Sequence, residues 1–256
     1  MVAAARALAA GRAAQVLVLH LNVTSLTAAV FSESASRRDV ESDVEARALV
    51  DRAVRRMRRS GISASGQVVG GGWQTAAALL LDAASAFGSD LIVVTPRGRT
   101  GLGALIEGSV SHQLLQRAAC PILCLPRGFE HLDLLRLAVA WDGSGLAQTA
   151  LQLAEEISHS YASELTLVYV TDKTLPAEVP APPPKYSPTV IERGSVSITE
   201  ALNRAASEWR AGIVIIGSHG RGDLAAMVVG SVTHNLLAIS ERPVLVVRSH
   251  RASKPQ

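Results

Sequence analysis

Short apolar runs alternate with longer amphipathic stretches through the C-terminal half of the chain. Runs of Val, Ile and Leu bounded by glycine or polar residues predict buried strands, and apolar residues recurring every three or four positions predict helices. The predicted strands are 135–141, 164–170, 189–192, 213–216 and 243–247. The predicted helices are 146–159, 198–209 and 232–239. This alternation predicts an α/β fold, a doubly wound parallel sheet with helices on both faces.

One stretch of this half fits neither pattern. Residues 173–188 include six prolines. Proline fixes φ and has no amide hydrogen to donate, so it is unsuited to the interior of a helix or a sheet. We therefore expect a loop between the second and third of these strands.

The chain contains the same unit twice, at a constant spacing of 122 residues. The matched pairs are Gly98 and Gly220, Gly108 and Gly230, Ser109 and Ser231, His112 and His234, and Pro121 and Pro243. Self-similarity at a fixed spacing indicates a tandem array of one structural unit. We expect two domains, 1–128 and 132–250, joined through residues 126–131, and a length of 256 residues accommodates both.

The first repeat lacks the first strand of this unit. Its first convincing strand, 15–21, corresponds to 164–170, and it carries 27 extra residues that include an arginine-rich amphipathic helix over about 38–59. A missing central strand would leave two sheet edges unpaired. Three explanations are open: the natural chain starts further upstream, another segment fills the gap, or the four strands adopt another order.

A glycine-rich loop follows the strand 213–216. Gly217 and Gly220 leave room for backbone amides to approach an anion, and Ser231 is the expected N-cap of the helix after Gly230. The first amides of a helix have no intrahelical acceptor and lie at the positive end of its dipole, an arrangement that holds phosphate. We therefore expect a phosphate site formed by Gly217, Gly220, Gly230, Ser231 and Val232. The alternative is a loop with turn glycines and an ordinary helix cap.

The spacing Gly-x2-Gly-x9-Gly-Ser from Gly217 to Ser231 resembles the nucleotide-binding signature of the universal stress protein family. The resemblance implies an adenine nucleotide alpha hydrolase-like sheet with the strand order 3-2-1-4-5. It also implies binding of ATP, or of another adenine nucleotide, as part of a stress response, with or without Mg²⁺ and with at most slow hydrolysis. In that order strands 1 and 4 are neighbours, and the ligand binds in the crevice outside their carboxyl ends.

Further residues border the expected crevice. Asp142 ends the first strand of the second repeat, and the resemblance implies that its carboxylate hydrogen-bonds the nucleotide; otherwise Asp142 caps the helix that starts at 146. Val170 and Ile216 end strands that face the crevice, where they pack against the base or belong to the core. His219 and Arg221 lie in the glycine-rich loop, where they approach phosphate or are solvated.

The equivalent loop of the first repeat is altered. Thr95 replaces the first glycine, and Pro96 stiffens the loop. No strand-1 aspartate precedes this loop, so a nucleotide there would lack half of its contacts. We expect the first site to be weak or empty.

Composition narrows the function classes. A net charge of +3, and an arginine-rich helix without interleaved aromatic residues, do not favour nucleic-acid binding. No apolar stretch reaches about 18 residues, so no membrane partner is expected. The two cysteines favour a reduced, cytoplasmic setting, and no spacing of His and carboxylate residues indicates a protein-ligated metal site. The P-loop, nucleotidyl-transferase and hydrolase signatures are absent, so we expect a binding protein rather than an enzyme.

The resemblance also implies partners. The two repeats are expected to form an intramolecular pseudo-dimer through residues 121–125 and 243–247, as subunits do in the family's dimers, and a homodimer of the whole chain is a further option. The competing hypothesis is a scaffold that binds no nucleotide and contacts other proteins through the arginine-rich helix or the proline-rich loop.

Overall fold

The structure of the protein is a computed structural model, which describes residues 1–9, 13–23, 42–72, 75–95, 110–172, 179–219 and 229–248. The chain divides into two compact units, Met1–Ser89 and Asp90–Gln256. The predicted boundary between repeats, 126–131, lies inside the second unit. As a domain boundary it stays a prediction.

Unit 1 is a small α/β unit built on two parallel strands. Its elements are α1 (Val2–Ala9), β1 (Gln15–Val23), α2 (Asp43–Arg58), β2 (Ser63–Gly71) and α3 (Ala76–Phe87). β1 and β2 pair in parallel along their full length, from Gln15 opposite Ser63 to Val23 opposite Gly71. The predicted strand at 15–21 is confirmed, and the arginine-rich helix is confirmed over the part of 38–59 that the structure describes.

The helix α2 begins and packs for clear local reasons. Ser42 is its N-cap and forms a capping box with Glu45, whose backbone N–H donates to the Ser42 hydroxyl over 3.2 Å. Val50 and Val54 lie one turn apart on its buried face. A Cβ at Gly66 of β2 would lie 2.3 Å from Val50 Cγ1, so this glycine allows the helix to approach the strand.

Unit 2 contains a mixed sheet of seven strands among the described residues. Its elements are β3 (Ile92–Val94), α4 (Val110–Arg117), β4 (Ile122–Cys124), β5 (Arg136–Ala140), α5 (Gly145–Tyr161), β6 (Glu164–Thr171), β7 (Thr189–Glu192), α6 (Ile198–Glu208), β8 (Ile213–Gly217), α7 (Ser231–Ile239) and β9 (Val244–Val247). The strand order is β3-β4-β9-β8-β5-β6-β7. Every neighbouring pair is parallel except β4 and β9.

The second repeat has the architecture that the sequence analysis predicts. Read from β7, its strands lie in the order β7-β6-β5-β8-β9, which is the order 3-2-1-4-5. The helix α5 packs on β5 and β8, whereas α6 packs on β6 and β7 and against α7. Residues 179–188 form neither helix nor strand, and the rest of the predicted proline-rich loop, 173–178, lies outside the described residues.

The last strands of the two repeats pair with each other, as predicted. β4 runs antiparallel to β9, with Leu123 opposite Leu245 and Ile122 opposite Val246. Leu123 and Leu245 are equivalent positions of the two repeats, so the pairing has a local two-fold symmetry. His112 and His234, another equivalent pair, meet edge to face with ring centroids 6.0 Å apart. A pseudo-dimer of two whole repeats stays a prediction.

The first repeat has no strand 1 in the part of the chain that the structure describes. Its second and third strands are β1 and β2, which form the sheet of unit 1. Its fourth and fifth strands are β3 and β4, which belong to the sheet of unit 2. The strands of the first repeat therefore lie in two sheets.

Candidate functional site

The two sequence motifs of the second repeat meet at one edge of the sheet. β5 and β8 are parallel neighbours, with Leu137 opposite Ile213 and Val139 opposite Ile215. Parallel strands end at the same edge, so the segment that starts at Asp142 and the loop that starts at Gly217 leave the sheet side by side. β5 lies at the point where the strand order reverses, because β6 follows it on one side and β8 and β9 lie on the other. This is where ligands bind in doubly wound sheets.

Gly217 brings the two motifs into contact. A Cβ at Gly217 would lie 2.8 Å from the Cβ of Leu146, a buried residue in the first turn of α5. Real Cβ atoms do not approach so closely, so the glycine allows the start of α5 to pack on the end of β8. The role expected for this glycine from the sequence is to let backbone amides approach an anion. In the structure Leu146 fills the space that the missing side chain leaves.

Asp142 starts a tight turn into α5. Its Oδ1 accepts a hydrogen bond of 2.9 Å from the backbone N–H of Ser144, and Gly143 between them has a φ of 75°. Ser144 is the N-cap of α5, and its hydroxyl accepts from the backbone N–H of Ala147 over 3.1 Å. The alternative in which Asp142 caps this helix is therefore wrong. Asp142 is instead held in front of the cap by a side-chain-to-backbone turn.

The helix α7 begins one residue earlier than the sequence analysis expects. Gly230 is the N-cap, with φ −60° and ψ 151°, and its carbonyl accepts the first helical hydrogen bond, from the N–H of His234 over 2.9 Å. Ser231 is the first helical residue, so its assignment as the cap is wrong. The amides of Ser231 and Val232 belong to the first turn, where no intrahelical acceptor exists.

Three hydrogen bonds hold this helix start against the end of β8. The hydroxyl of Thr233, which is 2% exposed, donates to the carbonyl of Gly217 over 2.8 Å. The backbone N–H of Gly230 donates to the carbonyl of Ser218, and that of Ser218 donates to the carbonyl of Val247, both over 2.7 Å. The Gly230 amide is thus used within the protein, which leaves the next two amides of α7 as the candidate donors.

Thr233 is not among the site residues expected from the sequence. A signal existed, because the equivalent residue of the first repeat, Ser111, also carries a hydroxyl. A hydroxyl that recurs on the buried side of a short helix indicates a specific acceptor, since a buried hydroxyl needs a hydrogen-bond partner. What the sequence does not show is that the acceptor is the last carbonyl of the neighbouring strand.

The structure also describes three other residues that are expected at the site, Ile216, Val170 and His219. Ile216 is 6% exposed and lies opposite Val246 within the sheet. Val170 is half-buried and lies opposite Ile191. The ring Nδ1 of His219 lies 3.1 Å from the hydroxyl oxygen of Ser218.

Two expected site residues, Gly220 and Arg221, lie outside the described residues, and so do Gly98, Gly108 and Ser109 of the first repeat. Across the described ranges, no three His, Cys, Asp or Glu side chains come together to hold a metal ion. The helices within these ranges are too short or too polar to cross a bilayer.

Comparisons with known proteins agree with this architecture. The model of the universal stress protein family matches residues 1–126 and 181–248. A relative from Mycobacterium tuberculosis, universal stress protein Rv2005c, is 26% identical over 186 residues, which cover 62% of either chain. A second relative, universal stress protein MJ0577 of Methanocaldococcus jannaschii, is 41% identical over 49 residues, 19% of this chain and 30% of that protein. The chain spans about 62% of the length of the mycobacterial relative.

Solved structures share the fold. A universal stress protein from Archaeoglobus fulgidus aligns with a TM-score of 0.67 at 19% identity, over 91% of this chain and 85% of that one. Protein PA1789 of Pseudomonas aeruginosa aligns with a TM-score of 0.67 at 17% identity, over 96% of this chain and 86% of that one. Because the family model matches more than half of the residues, this chain belongs to the universal stress protein family.

Proposed function

We propose that the second repeat binds ATP, or another adenine nucleotide, at the sheet edge between β5 and β8. The observation that carries this proposal is the contact of Leu146 with Gly217, which brings the Asp142 turn and the glycine-rich loop to one place. Family membership and the glycine signature from Gly217 to Ser231 support the class of ligand.

Each described group has a role in this proposal. The amides of Ser231 and Val232 donate to phosphate oxygens, assisted by the positive end of the α7 dipole. The carboxylate of Asp142 accepts a hydrogen bond from the nucleotide. Outside the described residues, Gly220 offers its amide and Arg221 a forked, charged donor for phosphate.

The proposed activity is binding with at most slow hydrolysis. Phosphoryl-transfer enzymes position a base or a water-orienting residue against the phosphate, and the sequence carries none of their signatures. Any Mg²⁺ would be held by the nucleotide's phosphates and water rather than by a set of protein ligands. In the cell, occupancy of this site would serve a stress response in the cytoplasm.

A titration of labelled ATP against the wild type and Gly220→Val tests the proposal. We expect one tight site in the wild type and a loss of at least about tenfold in affinity in the variant, because a branched side chain blocks the approach of backbone to phosphate. Gly222→Val is the matched control, since Gly222 lies in the same loop but outside the signature. A wild type that binds no ATP would refute nucleotide binding and favour the scaffold hypothesis.

Two further results test the role of the glycine-rich loop and the assignment to binding rather than catalysis. Equal affinity in the wild type and Gly220→Val would refute the role of the glycine loop. Phosphate release measured on the same samples tests the assignment to binding. A multiple-turnover rate of about 1–100 s⁻¹ would make the protein an ordinary phosphoryl-transfer enzyme.

A further inference from the structure

The connection between β6 and β7 differs from its equivalent in the first repeat. In the first repeat the equivalent connection, between β1 and β2, contains the helix α2. In the second repeat its described part is an irregular segment, 179–188, which holds five of the chain's prolines. We call residues 179–188 the proline strap. Proline restricts φ, so the strap has few conformations available to it.

One end of the strap is attached to the carboxyl end of β5. The indole Nε1–H of Trp141 donates to the carbonyl of Pro180 over 2.7 Å. Trp141 is 3% exposed, and its backbone N–H donates to the carbonyl of Val168 in β6 over 2.9 Å. A buried indole N–H requires an acceptor, so this bond fixes the position of the strap relative to the strand.

The other end is attached to α5. Lys185 Nζ lies 2.7 Å from Glu155 Oε1, and this hydrogen bond lowers the pKa of Glu155 and raises that of Lys185. Lys185 Nζ also lies 5.2 Å from the centroid of the ring of Tyr186. A turn precedes it, in which the N–H of Tyr186 donates to the carbonyl of Pro183 over 2.9 Å.

Both attachments belong to the part of unit 2 that carries the proposed site. Trp141 immediately precedes Asp142, and Glu155 lies on α5, the helix whose first turn contacts Gly217. The start of the strap is therefore held next to the residue that precedes Asp142, and its later part is held on the middle of α5.

We propose that the proline strap is a preformed wall of the nucleotide site and that Trp141 is the residue that positions it. This inference rests on the proposed function. A preformed wall lowers the ordering cost of binding and slows release of the ligand. Freeing the strap therefore accelerates nucleotide dissociation and leaves the rate of association nearly unchanged.

Trp141→Phe tests this role, because phenylalanine keeps an aromatic ring and removes the N–H. We expect ATP to dissociate about 3- to 10-fold faster from this variant, as for the loss of one hydrogen bond, in stopped-flow experiments with a fluorescent ATP analogue. The control is Trp209→Phe, the same substitution at the C-cap of α6, just before the opposite end of β8. The control should leave dissociation unchanged.

Limited trypsin digestion supplies a readout that needs no ligand. The exposed Lys185 provides a cleavage site within the strap. We expect faster cleavage after Lys185 in Trp141→Phe than in the wild type, and protection of the wild type by ATP. Faster cleavage with unchanged ATP dissociation would show that Trp141 attaches the strap but that the strap is no wall, and would overturn the proposal.

Failure of the nucleotide site itself is recognised separately. A wild type that binds no ATP refutes the proposed function, and the wall with it, before any variant is measured. If circular dichroism shows that Trp141→Phe does not fold, Glu155→Gln is the variant to use instead, because it removes the ion pair with Lys185. About twofold faster ATP dissociation is then expected, since an exposed ion pair contributes little. No change in that variant together with no protection of Lys185 by ATP would overturn the proposal.

Discussion

The two repeats differ most in what lies at the centre of their sheets. In the second repeat β5 pairs with β6 on one side and with β8 on the other, and one continuous sheet results. In the first repeat, within the described residues, β1 pairs with β2 and β3 pairs with β4, and the strands lie in two sheets. The comparison shows that one central strand does two things. It makes the sheet continuous, and the aspartate of the proposed site follows two residues after its end.

Equivalent residues of the two repeats also differ in burial, and the repeat with the continuous sheet buries them more deeply. Leu167 and Val168 in β6 are 1% and 3% exposed. Their counterparts in β1, Val18 and Leu19, are only partly buried. A strand that has neighbours on both sides hides its apolar side chains better, and each buried aliphatic side chain contributes about 1.5–3 kcal/mol.

The largest effect is expected from breaking β5 itself. Val139 is fully buried between Leu167 and Ile215, and Val139→Asp places a charge among apolar side chains. We expect a loss of more than about 4 kcal/mol in the free energy of unfolding, measured by urea denaturation. Leu135→Asp is the control, because Leu135 is 65% exposed just before the strand and should cost about 0.5 kcal/mol or less. Similar losses in both variants would contradict a central role for β5.

A smaller effect is expected where the two motifs touch. Gly217→Ala places a Cβ against Leu146 and should cost about 1–3 kcal/mol by overpacking, together with a loss of ATP affinity. Gly145→Ala, in the same helix start, meets no atom within 4 Å and should be neutral or stabilising. Thermal unfolding and ATP titration of both variants check this. If Gly217→Ala changes neither the thermal stability nor the ATP affinity, the contact with Leu146 does not hold the site together.

The attachment of α7 to β8 is the next feature to remove. Thr233→Val deletes the hydroxyl that donates to the carbonyl of Gly217 and should cost about 1–2 kcal/mol, because the bond is buried. In Thr149→Val the lost bond, from Thr149 to the carbonyl of Gly145, is exposed, so the change in unfolding free energy should be small. Equal costs for the two substitutions would argue against a specific attachment.

The smallest expected effect is on the reactivity of a cysteine, Cys124, in the strand β4 that pairs with β9. Burial raises the pKa of the Cys124 thiol to about 12, so at about pH 8 the folded protein holds almost no thiolate there. Burial also raises the pKa of Cys120, which is less deeply buried. We expect a thiol reagent to modify Cys120 first and Cys124 only when the protein unfolds. Mass spectrometry measures the modification over time, and Cys124→Ala is the control that shows the reaction of Cys120 alone. Equally fast modification of both would show that the strand junction opens readily.

Much of the second repeat could be predicted because local and periodic signals agree there. The strand Thr189–Glu192 and the helix Ile198–Glu208 lie within a residue of their predicted bounds. The strand order came from the family resemblance, since periodicity does not specify which strands are neighbours. The pairing of β4 with β9 followed from the same source.

The features that the sequence predicted wrongly or did not indicate have physical reasons. Ser231 has the chemistry of a cap, but Gly230 takes that position because its N–H is fixed by the carbonyl of Ser218. Gly217 was assigned to a ligand because a sequence does not show that Leu146 approaches it from another element. The hydrogen bond from Trp141 to Pro180 spans 39 residues, so no local pattern indicates it.

The most direct test of the central claim is calorimetric titration of ATP into the wild type and Asp142→Asn. The amide keeps an oxygen for the N–H of Ser144 but removes the charge, so the local turn is retained. We predict one site per chain in the wild type and an affinity about 10- to 100-fold lower in Asp142→Asn, as for the loss of a charged hydrogen bond. Asp172→Asn, at the end of the neighbouring β6, should bind like the wild type. Equal affinity in the wild type and Asp142→Asn, or no binding at all, would contradict a nucleotide site at this edge of the sheet.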